Sequence, residues 1–205
     1  MAATGSSDKA PKLERRRVVR ALLADRGDLL VIAGLGAPAW DATDAGDGPL
    51  TFPLWGGMGG ATAIGLGLAL AQPERRVLVL TGDGELLMGM GSLATVGVQH
   101  PRNLALVVLD NEHYGETGMQ PSHTAFGVDL AAIARACGFA SSAMITTMDQ
   151  IAALREDIHR AQGPLFAQIK IAADKLPLVL PPRDGTHLKN RFREALLGAK
   201  AHSQR

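Results

Sequence analysis

The chain has 205 residues, 46% hydrophobic and 20% charged, enough apolar material for one domain with a core and too much for a disordered chain. Its 21 basic and 20 acidic residues leave a formal charge of +1, so no global field favours nucleic acid or an anionic membrane, and any anion must be held by a local site. The single cysteine, Cys137, excludes an intrachain disulfide framework and a cysteine-rich zinc site, and no N-terminal apolar run resembles a signal peptide or membrane span, so a cytoplasmic protein is expected.

Residues 1–12 are small and polar and read as a flexible tail. In LERRRVVRALLA, 13–24, Val18 and Leu22 fall at helical spacing, and Gly27 ends the helix. LLVIAG, 29–34, predicts a buried strand, and LGAPAWDATDAGDGPLTFPLWGGMGG, 35–60, reads as a long loop, which in a compact domain is usually functional. GGATAIGLGLALAQ predicts a helix; its apolar stretch 61–71 is about half the ~20 residues that cross a bilayer, and is read as tightly packed and buried. RRVLVLTG is a strand, ELLMGMGSLATVGVQH one helix, and LALVVLDN a strand. After a loop with Gly, Thr and Pro come a helix in DLAAIARACG, a short edge strand near 140–145, a helix in MDQIAALREDIHRAQ and a strand in PLFAQIKI. Residues 176–205 read as a Pro-rich connector and a short helix. Near-continuous apolar strands alternating with helices predict an α/β fold over 13–175, a doubly wound parallel sheet with helices on both faces.

Ligands of such sheets bind at the carboxyl ends of the strands. There the sequence places Asp83, inside Gly82-Asp83-Gly84, and Asn111, after Asp110. Backbone N–H groups at the turn and the following helix start suit a phosphate, which the neighbouring carboxylate would repel. A divalent cation between them removes the conflict: Asp83 and Asn111 supply hard oxygens, and a diphosphate and water complete an octahedral shell suited to Mg²⁺. The interval from 83 to 111, 28 residues, is what one strand–helix–strand crossover requires. Gly-Asp-Gly alone is often just a turn; its spacing to Asn111 and the Gly-rich turn upstream carry the reading.

Gly82-Asp83-Gly84 followed by Asn111 resembles the cofactor and metal fingerprint of the thiamine diphosphate-dependent 2-oxo acid decarboxylases, and the chain is similar to their diphosphate-binding (PP) domain over nearly its whole length. The resemblance implies the thiamine diphosphate-binding fold, with thiamine diphosphate and Mg²⁺ as cofactors. In LWGGMGG, Met58 matches the bulky residue that holds the cofactor bent, and the carbonyl of Gly56 would accept a hydrogen bond from the aminopyrimidine. The backbone carbonyl of His113 would be the third metal ligand beside Asp83 and Asn111. Gly82, Gly84, Glu85, Tyr114 and Gly115 would complete the cofactor site, and Glu116 and His113 are the candidate catalytic groups. Thr117 and His123 share their loop as candidate substrate contacts, the plainer reading for Tyr114 and Thr117 being loop packing. Two positions depart from the pattern. Glu85 stands where relatives carry a small residue, so its side chain must point away from the diphosphate or the local geometry must differ. Asp110 replaces the first Asn of a frequent Asn-Asn pair.

Family members with a complete site have a second α/β domain whose glutamate activates the cofactor, and only about 55 residues precede the Gly-rich turn here, too few for one. The resemblance therefore implies a partner α subunit carrying the pyrimidine-binding domain, a hetero-oligomer with two or more copies of each chain, and an acidic 2-oxo acid substrate. The order of motifs is most similar to the β subunits of sulfopyruvate decarboxylases and the matching half of phosphonopyruvate decarboxylases, both carboxy-lyases. Lys189, Arg191 and Arg193 are candidates for a sulfonate or phosphonate, against the plainer reading of a solvated helix face. Two alternatives remain: a carboligase or oxidoreductase half with the same cofactor, and a noncatalytic nucleotide-binding regulatory module. Against the latter, AGLGAP begins a dinucleotide pattern and fails at its third glycine.

Overall fold

A strand with no polar face is stable only between two layers of other elements. Four segments meet that condition: β1 (Leu30–Ala33), β3 (Val77–Gly82), β4 (Leu104–Asp110) and β8 (Leu165–Lys170) are buried along nearly their whole lengths. With β2 (Thr51–Pro53) and β7 (Ser141–Ile145) at the edges they form one six-stranded parallel sheet, order β2-β1-β3-β4-β8-β7. The structure is a computed structural model and describes residues 12–160 and 162–202; apart from Lys12, the tail expected over 1–12 lies outside the described residues.

Alternation along each strand divides the core in two. Val31, Leu78, Leu80, Val107 and Ile169 face α1 (Arg15–Leu23), α2 (Ala37–Asp44) and α7 (Met148–Arg160). Ile32, Val79, Leu106, Val108 and Phe166 face α3 (Ala61–Ala71), α5 (Ser92–Gln99), α6 (Leu130–Ala136) and α8 (Gly185–Leu197). Burial of each such side chain contributes about 1.5–3 kcal/mol. Among the described residues no helix is long and apolar enough to cross a membrane.

Four expectations change. The long loop 35–60 contains α2 and β2; Pro38 starts the helix and Asp41 is buried against Arg15 and Arg16 of α1. The single helix expected over 85–100 is two, α4 (Asp83–Met88) and α5, broken at Gly89–Gly91. A Cβ at Gly89 would lie 2.1 Å from the carbonyl oxygen of Gly59, so the break is where the Gly-rich turn presses on the chain. Stretch 61–71 is not buried all round: Thr62, Leu66 and Ala69 pack inward, while Ile64 and Leu70 are exposed. The C-terminal helix, α8, is as long as α7 at 13 residues and packs Phe192 on Phe52 of β2, ring centroids 5.6 Å apart.

The chain leaves β1 in one direction to reach β2 and returns across it to β3. Strand order thus reverses between β1 and β3, the position where doubly wound sheets open a crevice at the strands' carboxyl ends.

Candidate active site

That crevice is a cavity of about 870 Å³. It is bordered by Met58, by Gly82, Asp83, Gly84 and Glu85, and by Asn111, His113, Tyr114, Gly115, Glu116 and Thr117. The residues predicted for the cofactor, the metal and catalysis thus meet in one place except Gly56, which lies exposed beside Met58 without lining the cavity, and of the candidate substrate contacts Thr117 lines it while His123, Lys189, Arg191 and Arg193 do not.

Asp83 opens α4 at the end of β3 and is 2% exposed. Ser122 Oγ donates to its Oδ2, and Thr124 Oγ1, whose single proton goes to Asp110, lies 3.3 Å from the same oxygen. Burial pushes the carboxyl up to about 6; the Ser122 hydrogen bond opposes this and the Asp110 charge adds to it. Asn111 follows β4, the strand paired with β3. Its Oδ1 accepts from the N–H of His113 at 2.8 Å, which leaves the amide oxygen a second lone pair.

Asp110 is fully buried and sits opposite Lys170 in the β4–β8 register. Lys170 Nζ lies 2.7 Å from Asp110 Oδ2 and 2.9 Å from Glu112 Oε1, and Lys12 Nζ is 2.6 Å from Glu112 Oε2. Gln168 Nε2 donates to Asp110 Oδ2 at 2.6 Å and Thr124 Oγ1 to Asp110 Oδ1 at 2.7 Å. Burial raises the Glu112 carboxyl, but the two lysines outweigh it and bring it down to about 2. Burial likewise opposes the charge on Lys170, and Asp110 and Glu112 outweigh it, so its pKa rises. Glu112 itself has φ +67°, a left-handed conformation unusual for a side-chain-bearing residue. The clamp between the two lysines holds it there, between Asn111 and His113.

Glu85 is 4% exposed and turns toward the β1 end: Thr81 Oγ1 and the N–H of Leu35 donate to its Oε2 at 2.8 and 3.0 Å. Its Oε1 is buried without a hydrogen-bond partner, and burial raises the carboxyl's pKa against Thr81 and the backbone amides of Leu35, Ala61 and Gly59. The side chain thus ties α4, β1 and the Gly-rich turn together. In that turn Gly57 and Gly59, with φ +69° and +91°, present Met58 at the cavity edge.

The loop after β4 is a short antiparallel hairpin, β5 (His113–Tyr114) with β6 (Gln120–Pro121). The Tyr114 ring lies on Gly84, where a Cβ would approach ring carbons to 2.6 Å. Tyr114 OH is 3.3 Å from His123 Nδ1. Glu116 packs over Gly36, and burial raises its carboxyl while Arg15 opposes the shift. The basic residues of α8 do not reach the cavity: Arg191 pairs with Asp47 at 2.6 and 2.9 Å, Arg193 bonds the carbonyl of Ala201, and Lys189 is exposed.

Ser122, Thr124, Gln168 and Lys170 escaped sequence reasoning. Gln168 and Lys170 carried a signal: two polar residues at i and i+2 of an otherwise apolar strand share one face. Ser122 and Thr124 carried none, since only the fold of the hairpin brings them to Asp83.

No group of three or more His, Cys, Asp or Glu side chains is placed to hold a metal among the described residues. At the ends of β3 and β4 the oxygens on offer are one carboxylate with amide and carbonyl oxygens, the hard donor set that suits Mg²⁺. Asp83, desolvated and with no cationic side chain bonded to it, together with the spare Asn111 lone pair, fits that group.

Comparison with known proteins gives the family. The family model described as thiamine pyrophosphate enzyme, C-terminal TPP binding domain, matches residues 42–169. The chain is 37% identical over 187 residues to sulfopyruvate decarboxylase subunit beta of Methanothermobacter thermautotrophicus, covering 91% of this chain and 97% of that subunit. It is 34% identical over 195 residues to phosphonopyruvate decarboxylase of Streptomyces hygroscopicus, covering 94% of this chain and 48% of that protein. Among solved structures, benzoylformate decarboxylase from Polynucleobacter necessarius superposes with TM-score 0.69 at 21% identity, and 4-hydroxybenzoylformate decarboxylase from Rhodococcus jostii with 0.66 at 18%. Each match covers 82% of this chain and about a third of the solved one, 35% and 34%, and shows a shared fold. With its parallel sheet and the cavity at the β1–β3 reversal, the chain belongs to the thiamine pyrophosphate enzymes and carries their C-terminal, cofactor-binding domain.

Proposed function

We propose that the chain is the diphosphate-binding subunit of a two-subunit, thiamine diphosphate- and Mg²⁺-dependent decarboxylase that converts sulfopyruvate to sulfoacetaldehyde and CO2. One observation carries this reading: Asp83 and Asn111 end paired strands on a single cavity edged by Met58, in a chain that aligns with 97% of a sulfopyruvate decarboxylase β subunit.

In this reading the Asp83 and Asn111 side chains and the His113 carbonyl hold Mg²⁺, and the backbone of Gly82, Gly84 and Glu85 faces the diphosphate. Met58 supports the bent cofactor, the Gly56 carbonyl accepts from its aminopyrimidine, and Tyr114 and Gly115 close over it. When bound, thiamine diphosphate supplies the electron sink that lets a 2-oxo acid lose CO2. The protein's tasks are to orient, to exclude water and to handle a proton. Leu35, Ala37, Pro38 and Trp40 give the cavity an apolar wall. Glu116, raised by burial, is the loop acid suited to hold a proton for the product, and His113 lines the same cavity with its Nδ1 2.8 Å from the Asn111 carbonyl. The activating glutamate comes from a partner subunit, whose existence is supported by the beta-subunit names of the relatives.

A second reading, phosphonopyruvate decarboxylation, is supported by the 34% identity along 94% of this chain. The test mixes the purified chain with a partner α/β subunit of roughly 170 residues and follows CO2 from each acid. Release from sulfopyruvate only in the mixture is expected. Release by the chain alone would contradict the split site, and faster release from phosphonopyruvate would favour the second reading.

A further inference from the structure

The decarboxylase reading leaves one requirement unassigned. A substrate with a sulfonate beside the carboxylate it loses needs a cation, and Lys189, Arg191 and Arg193 do not line the cavity. Two cationic side chains do, Arg15 and Lys175. They arrive there together because the segment before α1 runs beside the segment after β8. Leu13 pairs with Ile171, the N–H of Ala172 donates to Leu13 O at 2.8 Å, and Arg16 Nη2 donates to Pro177 O.

Arg15 is 8% exposed. Its Nε lies 3.3 Å from Asp41 Oδ2, but both atoms lack a hydrogen-bond partner, so the contact is ionic only. Arg16 donates to Asp41 Oδ1 at 3.2 Å, so Asp41 keeps a partner without Arg15. Among the described residues the Arg15 guanidinium donates no hydrogen bond. The buried Nε faces Asp41, so what Arg15 offers the cavity it lines is the Nη pair, and a guanidinium fork matches the oxygens of a sulfonate. Asp83 and Asn111, by contrast, end the central strands β3 and β4. In the decarboxylase reading the cofactor's diphosphate therefore has its own cation, and Arg15, whose charge is shared between Asp41 and Glu116, keeps guanidinium donors for the substrate.

We propose that Arg15, with Lys175 at the cavity mouth, binds the sulfonate of the substrate and sets the preference for a 2-oxo acid bearing a second, strongly acidic group. This rests on the decarboxylase reading above. The test uses the complex with its partner subunit and the variants Arg15→Ala, Arg15→Lys and Lys175→Ala. Three quantities are measured: thiamine diphosphate affinity by calorimetry, binding of 3-sulfopropionate to the cofactor-loaded complex, and kcat/KM for sulfopyruvate against pyruvate.

Arg15→Ala should weaken 3-sulfopropionate binding and raise KM for sulfopyruvate by roughly 10- to 100-fold. The sulfopyruvate-to-pyruvate ratio of kcat/KM should fall by a similar factor. Arg15→Lys, which keeps a charge beside Asp41 and guards against a folding defect, should lose less, and Lys175→Ala about 3- to 10-fold. Equal losses on both acids, or unchanged 3-sulfopropionate binding, would overturn the assignment. Weakened thiamine diphosphate binding would instead assign Arg15 to the diphosphate. A wild-type complex that binds no thiamine diphosphate would remove the decarboxylase reading itself, and this assignment with it.

Discussion

Asp83 is held in the site against the cost of its own burial. Its carboxyl is raised from 3.8 to about 6 by burial, so the folded state favours the protonated form more than the unfolded chain does. The stability this contributes is fully present below the unfolded pKa and is lost as pH rises through about 6. In the metal-free chain, denaturant midpoints attributable to this residue should therefore fall between about pH 4 and pH 6. Asp83→Asn should remove that component, and saturating Mg²⁺ with thiamine diphosphate should suppress it by stabilising the carboxylate. Lys170 governs the neighbouring charges. Removing it in Lys170→Met leaves Asp110 buried without its cation and should cost about 3 kcal/mol in chemical unfolding. Asp110→Asn in the same chain should restore most of the loss, because an amide there needs no counter-ion. The placement of Asp83 and Asn111 at neighbouring strand ends was legible because each directly follows a long apolar run. The Lys170 pairing was not, because a register between β4 and β8, 60 residues apart in sequence, is set by the sheet alone.

At the scale of elements, the site depends on two glycine contacts that fix where α4 stops and the hairpin lies. Gly89 touches the carbonyl of Gly59, and Gly84 lies under Tyr114. Gly89→Ala should push the Gly-rich turn away from α4, costing about 1–3 kcal/mol and weakening cofactor binding by moving Met58. Trp55, three residues before Met58 and bonded through Nε1 to the Pro182 carbonyl at 2.8 Å, should report the shift in its fluorescence; an unchanged spectrum and affinity would contradict it. The central strands could be read from sequence because each is a long apolar run with one meaning. The helix α2 hid in a stretch rich in Gly, Pro and Asp, because what buries Asp41 is a pair of arginines on another helix. The break in α4–α5 was hidden for the same reason, since helical spacing continues across it and only the Gly59 contact forbids it.

For the whole molecule, one cavity gathers residues from the Gly-rich turn and from both central strand ends, and α8 closes β2 far from that cavity. The fold class followed from the alternation of strands and helices, while the substrate cation did not: the basic run on α8 drew attention, whereas the buried Arg15 in LERRR looked like one more charged helix residue. The central claim is that Asp83 and Asn111 hold a metal that pins a diphosphate to neighbouring strand ends. Its most direct test is calorimetric titration of thiamine diphosphate with and without Mg²⁺ into the complex of this chain with its partner, using wild type and Asp83→Ala. The expected result is Mg²⁺-dependent binding by wild type and a loss of at least about 100-fold in Asp83→Ala, with circular dichroism unchanged. Equal, metal-independent affinities in the two proteins would contradict the site.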